Sequence, residues 1–299
     1  MNRVLILLST YNGEKYLEEQ LESFMVQTGV DVNILVRDDG STDRTREILD
    51  RWQQKEKLTW YKGENIGWAM SFMNLVQHAT EADYYAFSDQ DDVWLPEKLN
   101  TAVTKLNNTP KGPALYFSNL DCWKDGLITG KAKDDDMWFD KYTSLLQCQA
   151  CGCTMVFNQQ LLNLIKRSGD RKIYAHDFWT FQVAMFTGSV LYDKNSYILY
   201  RQHSLNQVGA KKTLRDIWKR RWSNLILLKN DHRREILAQT LLECVGDSMS
   251  NEGVRIVSVV AHYRVNLSDY LKFLFSKRYI MDKPFNTMLL KLRVLIRKV

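Results

Sequence analysis

Tyr84-Tyr85-Ala86-Phe87-Ser88-Asp89-Gln90-Asp91-Asp92-Val93-Trp94 decides how this chain is read. An apolar run of strand length ends abruptly in three carboxylates within four residues. A strand apolar at successive positions is one covered on both faces, as in a parallel sheet with helices on each side. Open sheets of that kind place ligand sites at the carboxyl ends of their strands. Carboxylates this close resist joint ionisation unless positive charge stands among them. A hard divalent cation such as Mg²⁺ or Mn²⁺ supplies that charge and takes carboxylate and phosphate oxygens. The plainer alternative is a solvated acidic loop.

Working outward, the same alternation continues. Residues 4–8, 32–36 and 58–61 read as short apolar strands. Helical patterns over residues 14–27, 41–51 and 68–76 separate them, with Leu17, Leu21 and Phe24 recurring at i, i+4 and i+7. Ser41 or Thr42 is placed to cap the second helix. Pro96 suits the first turn of a helix running through Leu99, Val103 and Leu106. Successive βαβ units predict an α/β fold: a mainly parallel, Rossmann-like sheet flanked by helices. From Ala114 the pattern becomes mixed, with strands at 114–119, 153–157, 190–193 and 197–202 and helices at 159–167 and 176–186. Residues 124–140 form a polar, acidic stretch that reads as a loop, and after residue 210 only helical patterns remain.

The chain has 299 residues, 45% of them hydrophobic and 25% charged, which is the profile of a globular protein of one large domain or a domain with an appendage. It contains no uncharged apolar stretch of membrane-spanning length. The opening residues 1–8 lead straight into Ser9-Thr10-Tyr11-Asn12-Gly13 without a cleavage-site pattern, so they read as a first strand and the protein is expected to be cytoplasmic. The five cysteines are an odd number and argue for reduced thiols. Cys148, Cys151 and Cys153 are closely spaced, but no second Cys or His pair follows at zinc spacing. The net charge of +6 is uneven: residues 1–210 carry 22 Lys and Arg against 27 Asp and Glu, whereas residues 211–299 carry 19 against 8.

Four stretches fall at the ends of the first four strands: Ser9-Thr-Tyr-Asn-Gly-Glu14, Arg37-Asp-Asp-Gly-Ser-Thr-Asp43, Glu64-Asn-Ile-Gly67 and the acidic run itself. Each alone is compatible with a turn or a helix cap. Their joint placement gathers polar groups into one crevice.

Together with His176-Asp177 and Tyr200-Arg-Gln-His203, these motifs resemble the family 2 glycosyltransferases of the GT-A fold, over about residues 1–210. Within that family, Ser-Asp-Gln-Asp-Asp-Val-Trp-Leu-Pro and Tyr-Arg-Gln-His-x-x-Asn are closest in appearance to bacterial rhamnosyltransferases of cell-wall and capsular polysaccharide assembly. The resemblance implies an inverting, metal-dependent transferase. Residues 1–210 would be catalytic, with a nucleotide-sugar half to about residue 120 and an acceptor half over about 114–210. Thr10, Tyr11 and Glu14 would line the base and ribose pocket. Asp39 would hold the base or ribose edge, with Asp38 as the alternative. Asn65, Gly67 and Gln90 would complete the donor-binding set. Asp91 would be the direct metal ligand, with Asp89 and His203 sharing the Mn²⁺ or Mg²⁺; Asp92 would orient donor-sugar hydroxyls. Asp177 matches the catalytic base, although Asp is also a favoured helix cap. Gly152, His176 and Trp179 would lie near the donor sugar and acceptor, and Trp94 and Trp179 are alternatively core residues.

The C-terminal region mixes Trp, Leu, Lys and Arg at helical spacing over residues 214–228 and again over 286–299. Such helices suit an anionic bilayer surface, and a bundle packed on the catalytic domain is the alternative. No nucleic-acid recognition motif accompanies the charge. The implied donor is a nucleotide-diphosphate sugar, dTDP-rhamnose first and a UDP-hexose second. The implied acceptor is a polyprenyl-diphosphate-linked glycan at the inner face of the plasma membrane. A homodimer is left open, and a non-catalytic sugar-nucleotide-binding protein is the alternative from another class.

Overall fold

The computed structural model describes residues 1–54, 58–203 and 232–299. The residues divide into two compact units. The first comprises Met1–Met137, Ala150–Ala184 and Gly188–His203; the second takes Trp138–Gln149, Met185–Thr187 and the residues from Ser204 onward.

The first unit is built on one sheet. Four parallel strands run in the order β3 (Leu58–Lys62), β2 (Val30–Asp38), β1 (Asn2–Thr10), β4 (Tyr84–Ser88). Their helices are α1 (Leu17–Met25), α2 (Thr45–Gln53) and α3 (Trp68–His78). The residues of β1 from Val4 to Leu8 are at most 5% exposed, as expected of a strand covered on both faces. Beyond β4 the sheet turns mixed: β8 (Val156–Asn158) is antiparallel to both β4 and β6 (Ala114–Lys124), and β9 (Ser189–Arg201) runs parallel to β6. The last strand, β5 (Val93–Trp94), is antiparallel to β9.

This order has a geometric consequence. β4 and β5 are joined only by residues 89–92, yet three strands lie between them in the sheet. A flat sheet would separate them by about 19 Å, more than the roughly 17 Å that residues 88–93 span when fully extended. The sheet therefore curls, and the acidic stretch bridges the curl.

Several local expectations are corrected. α2 starts at Thr45, with neither Ser41 nor Thr42 as its cap; Asp43 accepts the Thr45 N–H at 3.0 Å, while the Ser41 hydroxyl accepts from Asn12. The helix after Pro96, α4 (Lys98–Asn107), begins at Lys98. The 124–140 stretch contains a strand, β7 (Leu127–Lys131), hairpin-paired to β6. Residues 152–154 form a 3₁₀ turn ahead of β8 rather than its start. The two short strands expected at 190–202 are one continuous β9, whose register against β6 shifts between Ser118 and Asp121.

In the second unit the described residues beyond 231 are helical: Arg233–Val245, Asn251–His262, Leu267–Phe275 and Pro284–Leu295. The helix pattern expected at residues 214–228 lies outside the described residues. The C-terminus is tied inward by the Val299 N–H donating to the buried Tyr263 hydroxyl at 2.9 Å.

Candidate active site

The turn after β1 is clamped from two sides. The Gln90 carboxamide accepts from Thr10 Oγ1 at 2.5 Å and from the Tyr11 N–H at 2.9 Å, and donates to the Tyr11 carbonyl at 3.1 Å. From the β2 end, Ser41 Oγ accepts Asn12 N–H, Thr45 Oγ1 accepts Gly13 N–H and Asp43 accepts Glu14 N–H. A Cβ at Gly13 would lie 2.4 Å from Gln90 Oε1, so a larger residue there would displace the Gln90 carboxamide. Tyr11 projects outward, 46% exposed, at the mouth of the crevice. Glu14 is turned away to the start of α2, where it accepts the Arg44 N–H at 3.0 Å and meets its guanidinium at 3.3 Å.

Asp38 and Asp39 are both buried and both organise loops. Asp38 accepts from Ser41 N–H and faces Arg46 Nε at 3.5 Å. Asp39 is ion-paired with the buried Arg37 and accepts the N–H groups of Ile66 and Gly67 at 3.0 and 3.1 Å. Asp39 thereby fixes the Asn65–Gly67 segment; Gly67 has φ +81°, a conformation that glycine tolerates best. Asn65 is exposed on that segment.

The acidic stretch sorts its three carboxylates. Asp91 Oδ2 lies 2.7 Å from His203 Nε2, and the His203 ring stacks on Tyr16 at 5.2 Å. Asp89 is pushed up to about 7 by burial and by the charges of Asp91 and Asp177. Asp92 is 1% exposed. It accepts the Arg201 N–H at 3.3 Å and hydrogen-bonds the Cys153 thiol, and burial raises it well above the ordinary carboxylate range. Ligand atoms of Asp89, Asp92 and Cys153 all lie within 4.8 Å of one another. Lys98 is the nearby cation: its buried ammonium sits 3.5 Å from the centre of the Trp94 ring, and burial pulls it down to about 7.

Asp177 stands in the first turn of α7 (His176–Thr187), but it is not the cap; Ala175 holds that position without a side-chain bond. Its Oδ1 accepts the N–H of Phe178 at 2.7 Å. Burial raises the carboxyl, against the opposing pull of Lys133. His176 is stacked on Phe72 at 3.9 Å and edged by Phe87, and burial lowers it to about 3, so it is neutral. Gly152 abuts both residues: a Cβ there would lie 2.6 Å from His176 Nε2 and 3.5 Å from Asp177 Cβ.

The structure therefore brings Asp89, Asp91, Asp177 and His203 together with Gln90, Thr10, Tyr11 and Gly152. It does not bring Trp179 or Trp94 to the surface. Both are fully buried, Trp179 with its indole donating to Ile165 O at 3.4 Å, and neither offers a face to a sugar. Both rings fill hydrophobic core, which corrects the expectation for Trp179. Arg201 was missed as a functional residue. Its Nε donates to Asp91 O at 3.0 Å, its guanidinium meets Glu19 at 2.5 Å, and it lies between the Tyr16 and Trp123 rings at 4.6 and 4.4 Å. Its place beside His203 in Tyr200-Arg-Gln-His203 was the available signal; Cys153 stood out only for its spacing from Cys148 and Cys151, and Lys98 carried none.

Known proteins resemble this chain in sequence and in fold. Residues 5–173 match the family model for glycosyl transferase family 2. The dTDP-rhamnosyl transferase RfbG of Shigella flexneri is 29% identical over 310 aligned residues, covering 96% of this chain and all of that protein. Among solved structures, S. aureus TarS 1–349 in complex with UDP-GlcNAc superposes with a TM-score of 0.61 at 16% identity, covering 98% of this chain and 79% of that one. The mannosyltransferase PcManGT from Pyrobaculum calidifontis, in complex with GDP-Man and Mn²⁺, does so with a TM-score of 0.53 at 18% identity, covering 99% and 81%. The chain belongs to glycosyl transferase family 2, and it is a glycosyltransferase of the GT-A fold.

Proposed function

We propose that this enzyme transfers a deoxyhexose, rhamnose from dTDP-rhamnose, to a lipid-linked cell-surface glycan with inversion at the anomeric carbon. The observation that carries the reading is the approach of Asp177 to Asp89, close enough for the Asp177 charge to help raise the buried Asp89 carboxyl. The likeness to RfbG over the whole chain supports the donor sugar.

In the reaction, an acceptor hydroxyl oxygen attacks the anomeric carbon. The carbon–oxygen bond to the nucleoside diphosphate breaks on the opposite face, and Asp177 takes the hydroxyl proton as the new bond forms. Partial burial strengthens Asp177 as a base, because the neutral acid is the form that burial favours. Asp91, Asp89 and His203 would hold a divalent cation. The fit is electrostatic: burial, and after it repulsion from Asp91 and Asp177, raises Asp89, and a cation among these groups relieves it. When bound, Mn²⁺ or Mg²⁺ supplies counter-charge to the departing diphosphate. Gln90 ties the Tyr11 turn to this acidic end, so the base-binding and diphosphate-binding parts of the crevice keep one spacing.

The first unit then carries catalysis, and the basic C-terminal region keeps the enzyme at the inner membrane face, where a polyprenyl-diphosphate acceptor resides. A second reading keeps the chemistry and changes the donor to a UDP-hexose; the fold likeness to a UDP-GlcNAc complex favours it. A thermal-shift and transfer panel of dTDP-rhamnose, UDP-glucose, UDP-galactose and UDP-GlcNAc, with and without Mn²⁺, separates the two. Stabilisation by dTDP-rhamnose above the UDP-sugars supports the first reading, and transfer from a UDP-sugar alone overturns it.

A further inference from the structure

Two helices of the second unit are apolar on the side that the described residues leave exposed. In Leu267–Phe275 the buried ring is Phe273, while Leu267, Leu271 and Phe275 are 66%, 44% and 73% exposed. Their spacing of four places them in one stripe along the helix. In Pro284–Leu295, Leu290 and Val294 are buried, while Met288, Leu292 and Leu295 are exposed at i, i+4 and i+7, followed by Ile296. Each helix has met its packing needs with one set of apolar side chains and carries a second set outward.

The two stripes run side by side. Arg297 donates to the Arg264 carbonyl at 3.0 Å and lies 5.2 Å from the Tyr270 ring, and the Tyr270 hydroxyl reaches Leu295 O at 3.4 Å. Further along, Lys291 Nζ donates to the carbonyls of Phe273 and Ser276 at 2.5 and 3.1 Å. These contacts fix an antiparallel pair, with Leu267 beside the Leu295–Ile296 end and Phe275 beside the Met288 end.

Residues 264–299 carry nine Lys and Arg against two Asp. That balance decides what covers the stripes. A second copy would bring two strongly cationic surfaces together, which like-charge repulsion opposes. An anionic bilayer offers hydrocarbon to the stripes and phosphate to the cations. Helices of 9 and 12 residues are too short to span the membrane, so they lie in its interface.

We infer that the Leu267–Phe275 and Pro284–Leu295 pair is a docking face for an anionic lipid surface, centred on Leu271, Phe275, Leu292 and Leu295. The inference deepens the membrane part of the functional reading and rests on it, but its test does not depend on sugar transfer.

The test is flotation of the full chain with vesicles of phosphatidylcholine alone or of phosphatidylcholine with phosphatidylglycerol, at low and high salt. The wild type is expected to float with the anionic vesicles and to release as salt rises. Leu271→Ser/Phe275→Ser/Leu292→Ser changes only exposed or outward positions; it should keep the wild-type melting temperature and lower partitioning by about tenfold or more. Lys277→Gln/Lys283→Gln should weaken binding to anionic vesicles and leave the little binding to neutral ones unchanged. Equal flotation of the triple variant and the wild type would overturn the inference, as would a wild-type dimer in sedimentation that the triple variant converts to monomer. Flotation by a chain that transfers no rhamnose would support this face while overturning the donor reading.

Discussion

His203 Nε2 lies 2.7 Å from Asp91 Oδ2, across 112 residues of sequence. The pair closes the acidic end of the crevice from the far edge of the sheet: Asp91 follows β4, and His203 follows β9. Asp91→Asn removes a charge at this point, and transfer should fall by at least about 10²-fold. His203→Ala should raise the Mn²⁺ concentration needed for half-maximal activity by more than it changes the affinity for free nucleotide. Metal titrations of both variants, with calorimetric binding of dTDP, check this; identical titrations for wild type and His203→Ala would contradict it.

Asp177→Asn preserves shape and removes the proposed proton acceptor. The expected result is a kcat lower by about 10²–10⁴-fold, with donor affinity nearly unchanged because Asp177 is assigned to the acceptor hydroxyl. Steady-state kinetics and donor calorimetry measure the two effects separately. A loss confined to KM would assign Asp177 to binding.

Arg201 holds Asp91 through its backbone and braces Tyr16, on which His203 stacks. Lys keeps the charge but lacks the planar guanidinium that fits between Tyr16 and Trp123. Arg201→Lys should weaken activation by Mn²⁺ by about 10–100-fold, as expected when a residue that orients metal ligands is lost. The fold should survive, so the melting temperature without metal is the control.

Gly152 has no room for a methyl group. Gly152→Ala places Cβ 2.6 Å from His176 Nε2, and His176 is held by Phe72 and Phe87. The first unit should lose about 1–3 kcal/mol in denaturant unfolding. Because the ring that must move adjoins Asp177, kcat should fall as well.

His176 also sets a pH dependence. Its folded pKa, about 3, lies below the unfolded value of 6.5. Between those limits the unfolded chain binds a proton that the folded chain does not, so stability falls as pH drops from 6.5 toward 3. The slope from this one group is about 1.4 kcal/mol per pH unit. Subtracting the profile of His176→Leu from that of wild type isolates it from the raised carboxyls of Asp89, Asp92 and Asp177, whose contribution has the opposite sign. Parallel profiles for the two proteins would rule the effect out.

The sequence by itself determined the parallel half of the sheet and the ends of its strands. Residues 4–8 are apolar throughout and 84–88 at every step but the last, the pattern of strands covered on both faces, and polar motifs begin where the apolar runs stop. The meeting of Asp89, Asp91, Asp177 and His203 was legible through motifs, because each motif sits next to a strand or helix end that the local pattern locates. Tertiary structure alone decided how each carboxylate is buried and paired. The curl of β4-β8-β6-β9-β5 carries β9 back to the acidic stretch, and with it Arg201 and His203. Lys98, Cys153 and the burial of Asp92 depend on that closure, and no local pattern encodes a contact between residues so far apart. Likewise, helical periodicity marked residues 286–299 as amphipathic, but only packing against Tyr263 and Phe273 settled which apolar side chains face inward and which are left for another surface.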